Sequence, residues 1–177
     1  MNPEESTVLD LGCGRNKHDG AFGVDARDVP GVDLVHDLDQ HPWPLPSNQY
    51  TKVYCQDVIE HIDEIEPFLL EIARISARGA TIELRTPHFS SWYAYNDPTH
   101  RHAFGYFFLD HFVSSNGGTP TSGPLFAYVL RRLVFSRVHR LCGISALANR
   151  FPARYEQLFC WMFPCENMVF RLTPLKE

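Results

Sequence analysis

The sequence has no paired-cysteine motif. Its five cysteines (Cys13, Cys55, Cys142, Cys160, Cys165) are odd in number, scattered and never spaced CxxC. That removes the usual zinc and disulfide frameworks and leaves reduced thiols, as expected of a cytoplasmic protein. No run nears the ~18 uninterrupted apolar residues that a membrane span requires. The opening residues, MNPEESTVLD, lack the basic region and apolar stretch of a secretory signal. An excess of positive charge is missing too, since 16 Lys and Arg stand against 21 Asp and Glu for a formal charge of −5. Double-stranded nucleic acid, held largely by neutralised phosphates, is therefore not an expected partner. Only Arg131, Arg132, Arg137 and Arg140 fall close enough together for a local basic patch. Repeats and low-complexity tracts are absent. What is present, 177 residues at 44% hydrophobic and 21% charged, fits one globular domain over 1–177 with a core of useful size.

Apolar periodicity divides that domain into alternating elements. Residues 7–12 (TVLDLG) form a short apolar run ending in glycine, the pattern of a buried strand entering a turn. Residues 21–25 and 32–37 predict two more short strands, each ending in Asp, and residues 52–55 a fourth that runs on into a turn over 57–62. Residues 63–77 carry Ile65, Phe68, Leu69, Ile72, Ala73 and Ile75 at helical spacing, with Asp63 and Glu66 as a capping box. Gly79 is expected to close that helix, and residues 80–85 to form the next strand. Beyond Pro87 the chain turns aromatic and His-rich, so 88–125 reads as an acceptor-side loop or lid leading into a helix over 107–113. The stretch 114–124 is Gly- and Ser-rich and predicts a flexible turn. Strand over 128–138, helix over 144–163 and a last strand over 167–174 complete an α/β domain with a mainly parallel sheet.

The most specific chemistry lies at the first turn. In such sheets ligands bind outside the carboxyl ends of the strands, where glycines let the backbone approach closely. Gly12 and Gly14 supply that turn. Asp10, Asp25 and Asp37 stand at three successive strand ends, placed to accept an amino group, ribose hydroxyls and a base. Singly, each glycine reads as an ordinary turn and each Asp as a helix cap; the joint pattern is harder to dismiss. A dinucleotide site expects G-x-G-x-x-G with its acidic residue ~20 positions on. Lys17 occupies the third glycine's place and Asp25 follows too early, which argues against NAD and implies a very short or missing first crossover helix.

The runs LDLGCG, GVD, VDLVHDLD and PWPLPSNQYTKVYCQDVIEHI, continued by ATIELRTP and ENMVFRLTPLK, resemble class I S-adenosylmethionine-dependent methyltransferases. They look most like the compact bacterial LNLGCG-type, methyltransferase type 11-like subgroup with an abbreviated first helix. The resemblance implies a seven-stranded Rossmann-like sheet, mainly parallel with an antiparallel last strand, and S-adenosyl-L-methionine as cofactor. It implies that Asp10, Gly12, Cys13 and Gly14 cradle the methionine part and that Asp25 holds the ribose. Asp37 with Leu38 would take the adenine, and Gln56 with Asp57 the region after the fourth strand. Asn16 departs from the third glycine of the broader motif.

On the acceptor side, methyl transfer asks for alignment and, for a neutral nucleophile, a nearby base. His100 is the first choice, His88 the second, and His61 lies near the same crevice. Each has a structural alternative: residues 97–100 can serve as a capping turn, and His61 can pair with Glu60. His88, Asp97, His100 and His102 offer metal-ligand chemistry, which defines a weaker reading as a metal-dependent enzyme; no metal is expected. Aromatics from Trp92 to Phe108 can line a pocket or pack a core. The function expected is methyl transfer to a small-molecule or glycan-linked acceptor, the alternative a regulatory protein that binds the cofactor without transfer. Large apolar residues over 151–163 offer a homodimer contact or a cover for the sheet.

Overall fold

The computed structural model describes residues 2–113 and 123–176. Seven strands build one sheet: β1 (Val8–Leu11), β2 (Phe22–Asp25), β3 (Leu34–Val35), β4 (Tyr50–Gln56), β5 (Ser76–Pro87), β6 (Phe126–Val134) and β7 (Asn167–Pro174). Their order is β3-β2-β1-β4-β5-β7-β6. β1 pairs in parallel with β2 and β4, β2 with β3, and β4 with β5. β7 runs antiparallel to both β5 and β6. The strand order thus reverses at β1 and β4, which places a crevice at their carboxyl ends.

The core follows from the alternation. Leu9, Leu11, Val53, Cys55, Ile82 and Leu84 are buried on the sheet and share one cluster with Phe68, Leu69, Ile72 and Ile75 of helix α1 (Ile65–Ile75). This helix differs from the expected one at both ends. Glu64 occupies the cap without a side-chain hydrogen bond, because Asp63 is drawn into an ion pair with Arg101. At the other end the Ser76 hydroxyl donates to the Ile72 carbonyl at 2.7 Å, and β5 starts at once. Gly79 (φ 72°) therefore bends a bulged strand instead of closing a helix, and the pairing register shifts opposite it.

Farther on, helix α2 spans Tyr93–Asn96 and α3 only Asp110–Val113. β6 ends earlier than expected because Ser136 caps α4 (Arg137–Leu141), its hydroxyl accepting from the His139 N–H. The expected long helix is split into α5 (Ile144–Arg150) and α6 (Pro152–Leu158). Pro152 lacks the N–H to continue a helix and disfavours helical backbone at Phe151. Ala148 and Tyr155 turn into the core, whereas Leu147, Leu158, Trp161 and Met162 stay exposed. The Gly- and Ser-rich stretch at 114–122 lies outside the described residues. Among those described, no helix is long and apolar enough to cross a membrane.

No helix follows β1; residues 12–21 lie as a loop across the sheet. Two carboxylates clamp it. Asp33 Oδ2 accepts from Lys17 Nζ at 2.5 Å and from the Gly23 N–H at 2.8 Å. Asp10 Oδ2 accepts from the His18 N–H at 2.8 Å and meets His18 Nδ1 at 2.9 Å. The His18 ring then stacks on Tyr54 of β4, centroids 3.7 Å apart. Glycine is required at 23, since a Cβ there would sit 2.5 Å from Lys17 Cδ and 2.7 Å from Cys13 Sγ. Burial raises the Asp33 carboxyl, but Lys17 and the Gly23 amide outweigh it and hold it down at about 2. A lowered carboxyl stabilises the fold above its ordinary range and loses that contribution as pH falls through its folded value. Asp33→Asn should therefore cost about 1–2 kcal/mol at pH 7, with a gap to wild type that shrinks below pH 4. Urea unfolding of both proteins at several pH values measures it; a gap independent of pH would refute the clamp.

Candidate active site

β1 ends in the turn at Gly12, where φ is 64° and a Cβ would lie 2.3 Å from Val58 Cγ2. The turn is thus pressed against the segment leaving β4. Above it opens a cleft of about 510 Å³, walled by Gly12, Asp25, Asp37, Leu38, Asp57 and His61, a size suited to a small-molecule ligand. Five of the residues singled out for a cofactor therefore share one wall system. Asp25 accepts from the Gly14 N–H at 2.9 Å and from the Arg27 N–H at 2.9 Å. Burial raises its carboxyl, and these amides with the Arg27 guanidinium more than offset that, leaving it lowered and ionised. Asp57, with φ 55°, is paired with Arg85.

The remaining predicted cofactor residues serve the frame. Asp10 is buried with His18 on its carboxylate, so it holds the loop instead of facing the cleft. The physical reason is the missing crossover helix, which leaves the loop's own donors to seek that carboxylate. Cys13 is buried, and burial with the charges of Asp10 and Asp25 pushes its thiol up to about 11. Gly14 supports Asp25 from behind. Gln56 is half-buried at the end of β4 and outside the cleft wall.

A second cleft adjoins the first, with Asp57 and Asp97 lining both. Its walls include Glu60, Arg85, Trp92, Tyr93, His100 and Glu166. Glu60 sits in the 3-10 turn Ile59–His61 after β4, and only 1% of it is exposed. Its Oε2 accepts from the Thr86 hydroxyl at 3.0 Å, while its Oε1 has no partner. Burial pushes this carboxyl up to about 7 against the pull of its backbone and Thr86 hydrogen bonds. The Glu60 carbonyl accepts from the Arg101 N–H at 2.8 Å, which fixes the His100 segment over the turn. The rings of His61 and His100 then meet edge to face, centroids 4.7 Å apart.

The structure brings His61 and His100 together and turns His88 and His102 to other partners. His88 is fully buried, its Nδ1 accepting from the Ser90 N–H and its Nε2 paired with Glu156 at 3.1 Å. With both ring nitrogens engaged inside the protein it is a packing residue, which corrects its expected role as a base. His102 Nε2 faces the Ile62 carbonyl at 2.9 Å, and Asp97 accepts from the Thr99 hydroxyl at 2.6 Å. The ligand set of the weaker metal reading, His88, Asp97, His100 and His102, is thus not assembled. Glu60 was visible in the sequence only as the neighbour of His61. The available signal was a carboxylate set among Val58, Ile59 and Ile62, where burial is the rule. The roles of His18, Arg27 and Arg101 left no comparable trace.

Solved structures share this architecture. An S-adenosylmethionine-dependent methyltransferase from Archaeoglobus fulgidus superposes with a TM-score of 0.64 at 18% identity, covering 96% of this chain and 87% of its own. Phosphoethanolamine N-methyltransferase 2 of Haemonchus contortus, in complex with S-adenosyl-L-methionine, gives 0.59 at 11% identity over 97% of this chain and 49% of its own. The cyclase SpnF gives 0.59 at 15% identity over 94% and 73%. No protein-family profile and no curated protein matches the sequence. The chain therefore has the α/β Rossmann-like fold of class I S-adenosylmethionine-dependent methyltransferases, with β7 as the antiparallel strand.

Gly12 is the position where the site tolerates least. Gly12→Ala should lower stability by roughly 1–3 kcal/mol, through the left-handed backbone and the clash with Val58. Thermal unfolding reads the loss; an unchanged midpoint would mean that the turn is not pressed as described.

Proposed function

We propose that this protein transfers a methyl group from S-adenosyl-L-methionine to an acceptor held in the second cleft. One observation carries the reading: the glycine turn after β1 and side chains at the ends of β2, β3 and β4 wall a single cleft at the sheet's switch point. The chemistry of that wall suits the cofactor. Asp25 and Asp37 accept from ribose hydroxyls and an adenine amine, Leu38 offers an apolar face to the base, and the bare backbone at Gly12 admits the methionine part. The clustered carboxylates also favour a cationic sulfonium. When bound, the cofactor supplies an electrophilic methyl group, so the protein's task is alignment and handling of the acceptor.

The chain's own residues meet that task from the other side. Trp92 and Tyr93 present aromatic faces to the acceptor cleft, and residues 92–100 serve as its outer wall. Glu60, His61 and His100 stand where the two clefts meet and activate the acceptor. The same architecture occurs in a cyclase, so fold alone does not fix the chemistry. The buried, unpaired Glu60 oxygen favours an enzyme over a regulatory binder, because a relic has no use for a costly unsatisfied carboxylate.

Calorimetry with S-adenosylhomocysteine should show one site per chain, weakened at least tenfold in Asp37→Ala. His100→Ala should bind it normally, yet transfer labelled methyl to a panel of small-molecule and glycan acceptors about 100-fold more slowly than wild type. Absence of binding by the wild type would end the reading.

A further inference from the structure

We propose that Glu60, His61 and His100 form a divalent-cation site that presents an oxygen of the methyl acceptor to the cofactor cleft. Three features converge on it. One ligand atom from each residue lies within 4.8 Å of the other two. Bonds of ~2.1 Å would place such atoms roughly 3–3.5 Å apart, so small side-chain rotations close the shell. The Glu60 Oε1 is buried without a partner, in a protein whose other buried side-chain polar atoms, among the described residues, are satisfied. A cation is the partner that relieves an unpaired carboxylate oxygen beside two imidazoles.

The third feature is the orientation of the imidazoles. The Thr99 hydroxyl donates to Asp97 at 2.6 Å, so it accepts from His61 Nδ1 at 3.0 Å. His100 Nδ1 donates to the Ala94 carbonyl at 3.2 Å. Each ring's other nitrogen is thereby left with its lone pair, the tautomer a ligating histidine needs. The Arg101 and His102 amides, both on the Glu60 carbonyl at 2.8 and 3.3 Å, hold the two ligand segments in register.

Two imidazoles and one carboxylate favour zinc, manganese, iron, cobalt or nickel over magnesium and calcium. Three protein ligands leave coordination positions open, as catalytic sites do. Position supplies the rest: His61 lines the cofactor cleft, whereas Glu60 and His100 line the acceptor cleft. The open positions therefore lie at the junction. Ligation lowers the pKa of a bound hydroxyl, so its proton leaves to water in the open cleft. The oxygen's electron pair then forms the bond to the methyl carbon. The carbon–sulfur bond breaks with its pair left on sulfur, turning the sulfonium into a thioether. The acceptor class is accordingly an alcohol or phenol. In this role His100 is a ligand and not the general base expected of it. The acceptor role rests on the methyltransferase reading; cation binding by itself does not.

Cobalt(II) tests both. Protein purified without a polyhistidine tag and stripped with chelator should bind one Co²⁺ per chain, seen as visible absorption. His100→Ala, His61→Ala and Glu60→Gln, each checked for folding by circular dichroism, should weaken binding at least tenfold. His102→Ala and Cys142→Ser should bind like wild type. Absence of stoichiometric cobalt, or affinity undiminished in folded His100→Ala and His61→Ala, would overturn the site. S-adenosylhomocysteine titrated into the same samples separates the two claims. Cobalt binding without nucleoside binding supports the cation site and overturns its part in methyl transfer. Nucleoside binding without cobalt overturns the cation site alone.

Discussion

The fold depends on how the chain crosses from β1 to β2 without a helix. In a parallel sheet that crossover ordinarily packs a helix against the sheet. Here a loop must cover the sheet and still leave Gly12 open above it. Asp10 and Asp33 make this workable. One takes the His18 amide and ring, the other takes Lys17 and the Gly23 amide. Buried carboxylates are costly unless their lone pairs are filled, so each fixes the loop in one arrangement. The His18 ring on Tyr54 covers part of the surface a helix would have covered. With the loop held flat, the carboxyl ends of β1, β2 and β4 stay open, and the crevice between them exists.

From that constraint the division of labour among the acidic residues follows. Asp10 and Asp33 face into the frame, while Asp25, Asp37 and Asp57 reach the cleft. Asp25 does both, since Gly14 and Arg27 donate to it as it borders the crevice. The acceptor side is fastened by a separate device, the Glu60 carbonyl with two amides of the 100–102 segment. That contact crosses about forty residues of sequence and brings His100 beside His61. The two clefts meet because one short turn after β4 contributes to both.

Much of this was legible in the sequence, for physical reasons that can be named. Buried strands ending in Gly or Asp and the amphipathic run of α1 are local patterns, and local patterns survive in sequence. The early Asp25 correctly implied that the first crossover has no room for a helix. What stayed hidden was the direction of side chains. Asp10 and Asp25 look alike as strand-end carboxylates, and only the path of the loop decides that one binds His18. His88 and His100 look alike as polar residues beyond β5, yet Glu156, distant in sequence, draws His88 inward. Asp63 read as a helix cap because Arg101 could not be seen beside it. For His88 and Asp63 the deciding partner is far along the chain, and for Asp10 it is a loop residue eight positions on.

The central claim is that the cleft above Gly12 holds a nucleoside with its ribose toward Asp25. A crystal structure of the protein grown with S-adenosylhomocysteine tests it most directly. The account predicts ribose hydroxyls on Asp25, the base beside Asp37 and Leu38, and the thioether sulfur directed toward the Glu60–His100 junction. A ligand bound elsewhere, or one whose base and ribose touch none of these residues, would contradict it.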